Sequence, residues 1–283
     1  MKNFLLLLLV CNTVCFLPAT AQTKLPSIKG KLFIIGGGNR SLELMKTLVA
    51  TAAFAPKDYA VVLPMSSEEP DTSFNYFKED FQPASSVAVV NFNFTKDNTN
   101  NKNWLDSLEH AKLIFITGGD QERFMDVVLN TPVYAAIHKA FAKGATIAGT
   151  SAGAAVMSQH MITGKELTDA VVSRTFNKIH QDNIEIKEGL SLITNAVIDQ
   201  HFIVRSRYNR LLSAIAKYPA LACIGIDEAT AIIVQGNKIT VAGQSQVVLL
   251  QKPVGLQITS GGLIKMKDIQ FSIFTAGDVF FIK

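Results

Sequence analysis

The sequence predicts an α/β domain: a doubly wound, mostly parallel sheet with helices on both faces and a C-terminal antiparallel extension. Three observations lead there. Short β-type runs alternate with helical stretches between residues 31 and 235. The runs are apolar at consecutive positions, not at every second one, as strands covered on both faces are. After residue 228 the alternation gives way to short strands flanking Gly236-Asn237, a two-residue hairpin signal.

In chain order the β runs fall at 31–35, 59–63, 86–90, 112–116, 145–148, 195–198 and 223–226, rich in Val, Ile, Leu and Ala. Helices are expected at 41–54, 121–129, 133–142, 152–160 and 203–218. The Asn-rich piece 91–103 reads as an exposed loop and 163–189 as a long one. Strands at 232–235 and 238–241 form the hairpin, followed by others near 246–250, 270–274 and 279–282. No linker or composition break separates this tail, so residues 22–283 read as one domain with a β extension from about 229.

Residues 1–21 read as a secretory leader. Lys2 precedes an apolar run from Phe4, and Ala19-Thr20-Ala21 offers a small-x-small cleavage site before Gln22. Asn12 and Thr13 interrupt the run, which is shorter than the ~20 residues a membrane span needs. The expected product is exported, periplasmic or extracellular, with no membrane segment after cleavage. Cys11 and Cys15 lie in the leader, which leaves Cys223 without a disulfide partner; an apolar core must hold the exported chain together. With 27 basic and 23 acidic residues the net charge is only +4, too weak a field for a nucleic-acid partner. At 48% hydrophobic and 18% charged, the chain is not intrinsically disordered.

In open α/β sheets the ligand crevice lies beyond the carboxyl ends of the strands. Here those ends carry Gly36-Gly37-Gly38, Met65-Ser66-Ser67, Thr117-Gly118-Gly119-Asp120-Gln121, Gly149-Thr150-Ser151, Asp199-Gln200-His201 and Asp227-Glu228. The sharpest signal is Gly149-Thr150-Ser151-Ala152-Gly153, set between an apolar strand and a small-residue helix. A nucleophile elbow needs that tight turn, with glycines where backbones approach, to hold the hydroxyl out above a helix N-terminus. The competing reading is a glycine-rich packing turn carrying an idle serine.

A serine nucleophile needs a base. Of the five histidines, His110 and His138 lie in helical stretches, and His160 follows the elbow helix by more than two turns. His180, in a polar loop, stays open as a candidate. His201 alone closes a strand, where it can meet Ser151. The third member should be a carboxylate that orients the imidazole. Glu228 closes the seventh strand and is preferred; Asp199 and Asp227 are rivals. The order Ser, His, Glu differs from ordinary α/β-hydrolases, where the acid precedes the histidine. An oxyanion hole is expected from the N–H of Ala152 and one from Gly118-Gly119, with Gly119 preferred. Arg205, Arg207 and Arg210 follow His201 closely and could clamp a substrate carboxylate, Arg207 and Arg210 ahead of Arg205. No metal-ligand set and no cofactor motif appears; Gly36-Gly37-Gly38 lacks nucleotide-binding spacing. Cys223, in an apolar stretch, reads as buried filler.

Together these residues resemble one family, the cyanophycinases within the S51 serine peptidases. The resemblance rests on Thr117–Gln121, Gly149–Ala154, Asp199–Phe202 with Arg205, Arg207 and Arg210-Leu211, and Gly225–Glu228 with Thr230-Ala231, over roughly residues 112–250. It implies a fold similar to class I glutamine amidotransferase domains and a Ser151–His201–Glu228 triad. It maps Gln121, Asp199, Gln200, Arg207 and Arg210 onto the family's substrate pocket. The implied substrate is a peptide or polyaspartate-type polymer, cyanophycin, released as β-Asp-Arg dipeptides; the family is commonly dimeric. One departure stands out: the family often carries acidic residues after the first glycines, where this chain has Asn39-Arg40. Two other readings follow: a peptidase for short Asp-containing or isoaspartyl peptides, and a non-catalytic peptide-binding protein of the same fold.

Overall fold

The computed structural model describes residues 30–168 and 175–283, so the leader read at 1–21 lies outside it. The elements are β1 (Lys31–Ile35), α1 (Leu42–Ala52), β2 (Tyr59–Leu63), α2 (Pro70–Phe81), β3 (Ala88–Asn91), α3 (Lys102–His110), β4 (Leu113–Ile116), α4 (Gln121–Val128), α5 (Pro132–Lys143), β5 (Thr146–Thr150) and α6 (Ala152–Ala155). Next come β6 (His160–Glu166), β7 (Ile184–Glu188), β8 (Ala196–Gln200), α7 (Tyr208–Lys217), β9 (Ala222–Ile226), β10 (Thr230–Gln235) and β11 (Lys238–Gly243). The chain ends with β12 (Val247–Val254), β13 (Gln257–Ile258), β14 (Ile264–Lys265), β15 (Asp268–Phe274) and β16 (Val279–Phe281).

The main sheet runs in the order β16-β11-β10-β1-β5-β4-β2-β3. Its five strands β1, β5, β4, β2 and β3 are parallel, whereas β10, β11 and β16 add antiparallel at the other side. Strands β1, β2, β4 and β5 are almost wholly buried because helices cover both faces. β3 stays half-exposed at the edge. On one face α1 and α2 bury Leu44, Leu48, Phe77 and Phe81, and Phe77 stacks on Phe115 with ring centroids 4.0 Å apart. The opposite face is closed by α3, α4, α5 and α6.

The expected sixth and seventh strands do form, but not in the main sheet. β8 and β9 pair in parallel with each other and belong to a second sheet, β15-β12-β9-β8. A strand has two edges, and those of β1 are already taken by β5 and β10. β9 therefore finds its second partner in β12, with Ile226 opposite Val247. The two sheets remain tied at the carboxyl end of β1: the His201 N–H donates to the Gly36 carbonyl at 2.7 Å, and Ala229 N–H to Gly37 at 2.9 Å.

Several local expectations change. The elbow helix is one turn long, not 152–160, because the 189–193 segment captures the carbonyls that would continue it: Leu190 N–H bonds Val156, and Leu192 and Ile193 bond Met157. The helix expected from 203 starts at Tyr208, because Ser206 turns left-handed at φ 48°; ahead of it the N–H groups of Ile203 and Val204 donate to the Asp227 carboxylate at 2.9 and 3.0 Å. Within 163–189, described up to 168 and again from 175, β6 and β7 pair as antiparallel strands in place of loop. The piece 91–103 is anchored, not free: Phe92 and Phe94 are buried against Trp104, and Asn101 caps α3.

Candidate active site

β5 lies between β1 and β4, and the chain leaves it through the expected elbow. Ser151 takes φ 55° and ψ −110°, a conformation side chains rarely adopt, and its N–H donates to the Ile35 carbonyl at 3.1 Å. The flanking glycines are needed for closeness. A methyl group on Gly149 would strike the Gly153 backbone, and one on Gly153 would strike the Ile116 carbonyl. With those two positions bare, α6 folds directly back over the sheet and the Ser151 hydroxyl stands at its start.

His201 and Glu228 arrive from β8 and β9. The imidazole Nε2 lies 2.8 Å from Ser151 Oγ, and Nδ1 lies 2.6 Å from Glu228 Oε1. Three side chains from separate strand ends therefore form one hydrogen-bonded chain. His201 is itself left-handed, with φ 48°, as is Ala229 beside Glu228 with φ 51°. Gly36-Gly37-Gly38 explains how this backbone fits. A Cβ on Gly37 would come within 2.3 Å of the imidazole Cε1, and one on Gly38 would come within 2.7 Å of Glu228 Cβ. The triplet lacks nucleotide-binding spacing; its signal in the sequence is three consecutive bare positions at a strand's carboxyl end.

The rival groups are engaged elsewhere. Asp227 accepts from the Ile203 and Val204 N–H groups and from the Ser245 hydroxyl at 2.7 Å. His180 bonds the Gly261 carbonyl at 2.7 Å, and His138 bonds Leu190. His160 stacks on Tyr218. Cys223 is fully enclosed, and burial pushes its thiol up, away from the reactive thiolate.

The expected substrate residues divide in two. Arg210 is buried in a two-pronged ion pair with the fully buried Asp199, one prong being Arg210 Nε to Asp199 Oδ2 at 2.9 Å. Arg210 commits Nε and Nη2 to this pair. The pair braces the end of β8, where Asp199 also accepts the Gln200 N–H at 2.7 Å. Gln121 likewise spends its amide N–H groups on the Ile162 and Thr163 carbonyls of β6, anchoring that strand over α4. Arg207 keeps capacity: Nη1 holds the Gln200 side-chain oxygen at 2.6 Å, while its buried Nε has no partner. Burial first, and the neighbouring Arg210 second, bring the Arg207 guanidinium down to about 10; Asp199, 3.6 Å from its Nη1, opposes them.

In front of Ser151 and His201 opens a cleft of about 240 Å³, walled by Gly37, Gly38, Phe115 and Gly118. Of the two candidate oxyanion glycines, Gly118 stands beside Ser151, and a methyl group on it would touch Ser151 Cβ at 3.5 Å. Gly119, with φ 135°, is pressed against the Ser66 carbonyl and lines the neighbouring cavity. Ala152 is fully buried at the first position of α6, where helix N–H groups lack intrahelical partners.

Burial lowers the His201 pKa below the usual histidine range; the Glu228 hydrogen bond opposes that, and the charges of Arg205 and Arg207 add to it. The ring is thus neutral near pH 7, as a base must be. Because a depressed pKa means activity is lost only as pH falls through that lowered value, removing a nearby cation should move the acid limb of kcat/KM upward. Arg205→Gln is expected to do so, with the shift fading at high salt. Gly37→Ala, which thrusts a methyl group into the imidazole at a left-handed position, should lower kcat/KM by about a hundredfold or more while the fold's circular dichroism persists.

Comparison with known proteins gives the family. The model of Peptidase family S51 matches residues 32–242. A cyanophycinase of Trichormus variabilis is 32% identical over 229 residues, covering 78% of this chain and 74% of the relative. The cyanophycinase of Geminocystis herdmanii is 29% identical over 250 residues, covering 85% and 87%. Among solved structures, a peptidase from an acI-B1 Actinobacterium superposes with a TM-score of 0.63 at 22% identity, over 90% of this chain and 98% of that one, which speaks to the fold. A chain whose family match spans the elbow, the histidine and the glutamate alike is a serine peptidase acting on peptide or polymer substrates, and it belongs to peptidase family S51.

Proposed function

We propose that this peptidase is an exported exopeptidase that hydrolyses cyanophycin or similar aspartyl polymers to β-Asp-Arg-type dipeptides through Ser151, His201 and Glu228. The observation carrying the proposal is the unbroken hydrogen-bonded chain from Ser151 Oγ through both imidazole nitrogens to Glu228. The substrate rests on the relatives that bear the name cyanophycinase.

The chemistry follows from those contacts. His201 Nε2 takes the Ser151 proton as Oγ attacks the scissile carbonyl carbon, and the imidazolium formed is held by Glu228. Negative charge growing on the carbonyl oxygen is met by the Ala152 N–H and one from Gly118-Gly119. The imidazolium then protonates the departing amine, leaving an acyl-enzyme on Ser151. Water attacks that ester by the same route in reverse, with His201 again as base. Among the expected substrate residues, Gln200 and Arg207 contact the ligand in this reading, while Gln121, Asp199 and Arg210 position the walls. The homodimer implied by the family resemblance belongs to the same proposal, as does export through removal of residues 1–21.

Ser151→Ala should abolish labelling by a serine-directed fluorophosphonate and lower dipeptide release from cyanophycin by about four orders of magnitude or more, read by mass spectrometry of the products. Persistent labelling would remove Ser151 from the role. Protein recovered outside the cytoplasm should begin at Gln22 when its N-terminus is sequenced; an intact Met1 there would contradict processing.

A further inference from the structure

Asp227 stands immediately before Glu228, only 7% exposed, and the triad does not use it. Its carboxylate is met by neutral donors from two directions. Oδ1 accepts the N–H groups of Ile203 and Val204 at 2.9 and 3.0 Å, and Oδ2 accepts the Ser245 hydroxyl at 2.7 Å. Successive N–H groups closing on one oxygen make an anion nest, and a buried carboxylate persists only where such bonds replace water.

The first direction leads to His201. Phe202 N–H donates to the Ile226 carbonyl at 3.2 Å. Three consecutive N–H groups after His201 therefore bond residues 226 and 227, the last two before Glu228. The second direction leads to Glu228 through the turn 243–246, between β11 and β12. Ser245 N–H donates to Thr230 Oγ1 at 2.8 Å, and that hydroxyl donates to the Glu228 carbonyl at 3.1 Å. Gln244 N–H donates to the Ala229 carbonyl at 2.9 Å, and Asp227 N–H to the Gln246 carbonyl at 3.2 Å. One carboxylate thus joins the backbone carrying the imidazole to the turn that fastens the backbone carrying Glu228. Both backbones are left-handed at this joint, His201 at φ 48° and Ala229 at φ 51°, a shape neither residue adopts by preference.

Building on the reading of Ser151, His201 and Glu228 as a triad, we infer that Asp227 is the positioning residue that sets the 2.6 Å contact between His201 Nδ1 and Glu228 Oε1. It acts through the two turns and not on the substrate. Without it, the N–H groups of Ile203 and Val204 lose their partner, and the turn after His201 is freed on the side that faces Glu228. A displacement of about 1 Å at reacting groups costs about a hundredfold in rate.

The test uses the full mature chain and a serine-directed fluorophosphonate, whose saturation kinetics separate binding from reaction at Ser151. Asp227→Ala should lower the limiting labelling rate about a hundredfold. The half-saturating concentration should stay within about threefold of the parent's. Asp227→Asn keeps an oxygen for the two N–H groups and offers an amide N–H to the Ser245 hydroxyl, so it should return the rate to within about tenfold of the parent. A residue that merely stabilises the fold would lower Tm and leave the limiting rate of the folded enzyme, and its rescue by asparagine, unmoved. Should Asp227→Ala not fold, Ser245→Ala decides in its place. It removes one donor to the carboxylate and leaves every backbone bond, and it should slow labelling about fivefold. A folded Asp227→Ala enzyme, or failing that Ser245→Ala, labelled at the parent's rate would overturn this inference alone. A parent enzyme that takes no label would overturn the reading of Ser151, and this role with it.

Discussion

The grip on the His201 imidazole is the constraint on which the site depends. Its two nitrogens are committed to Ser151 and Glu228, its backbone N–H to the Gly36 carbonyl, and its ring to the bare face of Gly37. The carboxyl end of β1 thus serves as a side-chain-free platform on which His201 and Glu228 rest. Non-glycine residues with positive φ cost of order 1–3 kcal/mol each, and Ser151, His201 and Ala229 all have it. Such strain persists only where the surroundings over-determine it. Here the tie between β1 and the two strand ends supplies that determination.

Behind this layer lies a second one, bonded to neighbouring protein groups. Asp199 and Arg210 are buried together, and removing two charges from water is costly unless their geometry and remaining hydrogen bonds are good. Both Asp199 oxygens are used, one of them on the Gln200 backbone, so the pair fixes the last turn of β8 just before His201. Gln121 does comparable work at the opposite side, tying β6 to the start of α4, whose N-cap is Asp120. Charged and polar residues gathered near a reactive centre therefore fall into two kinds. Asp199, Arg210 and Gln121 bond neighbouring protein groups, whereas the buried Arg207 Nε has no partner among the described residues.

Much of the fold was legible because burial on two faces leaves its mark on the sequence as continuous apolar runs. β1, β2, β4 and β5 follow from that mark, and the β10–β11 hairpin follows from Gly236-Asn237. Helices α2 and α3 left little trace: α2 buries only Phe77 and Phe81 in a polar segment, and α3 buries only Leu108. The Asn-rich approach to α3 looked solvated, although Phe92 and Phe94 within it pack on Trp104.

For the site, the elbow could be read locally, since a strand, two close-packed glycines and a serine are contiguous in the chain. The choice of His201 needed only the rule that chemistry gathers at carboxyl ends. Sequence by itself therefore determined the layered α/β plan, the elbow at Ser151 and the small set of histidines and carboxylates that could serve it. Tertiary structure decided that β8 and β9 leave the main sheet, that Glu228 rather than Asp199 or Asp227 meets the imidazole, and that Arg210 pairs with Asp199. The reason is physical: strand edges, buried ion pairs and close backbone approaches are exclusive. Which partner occupies each one depends on residues far apart in the chain.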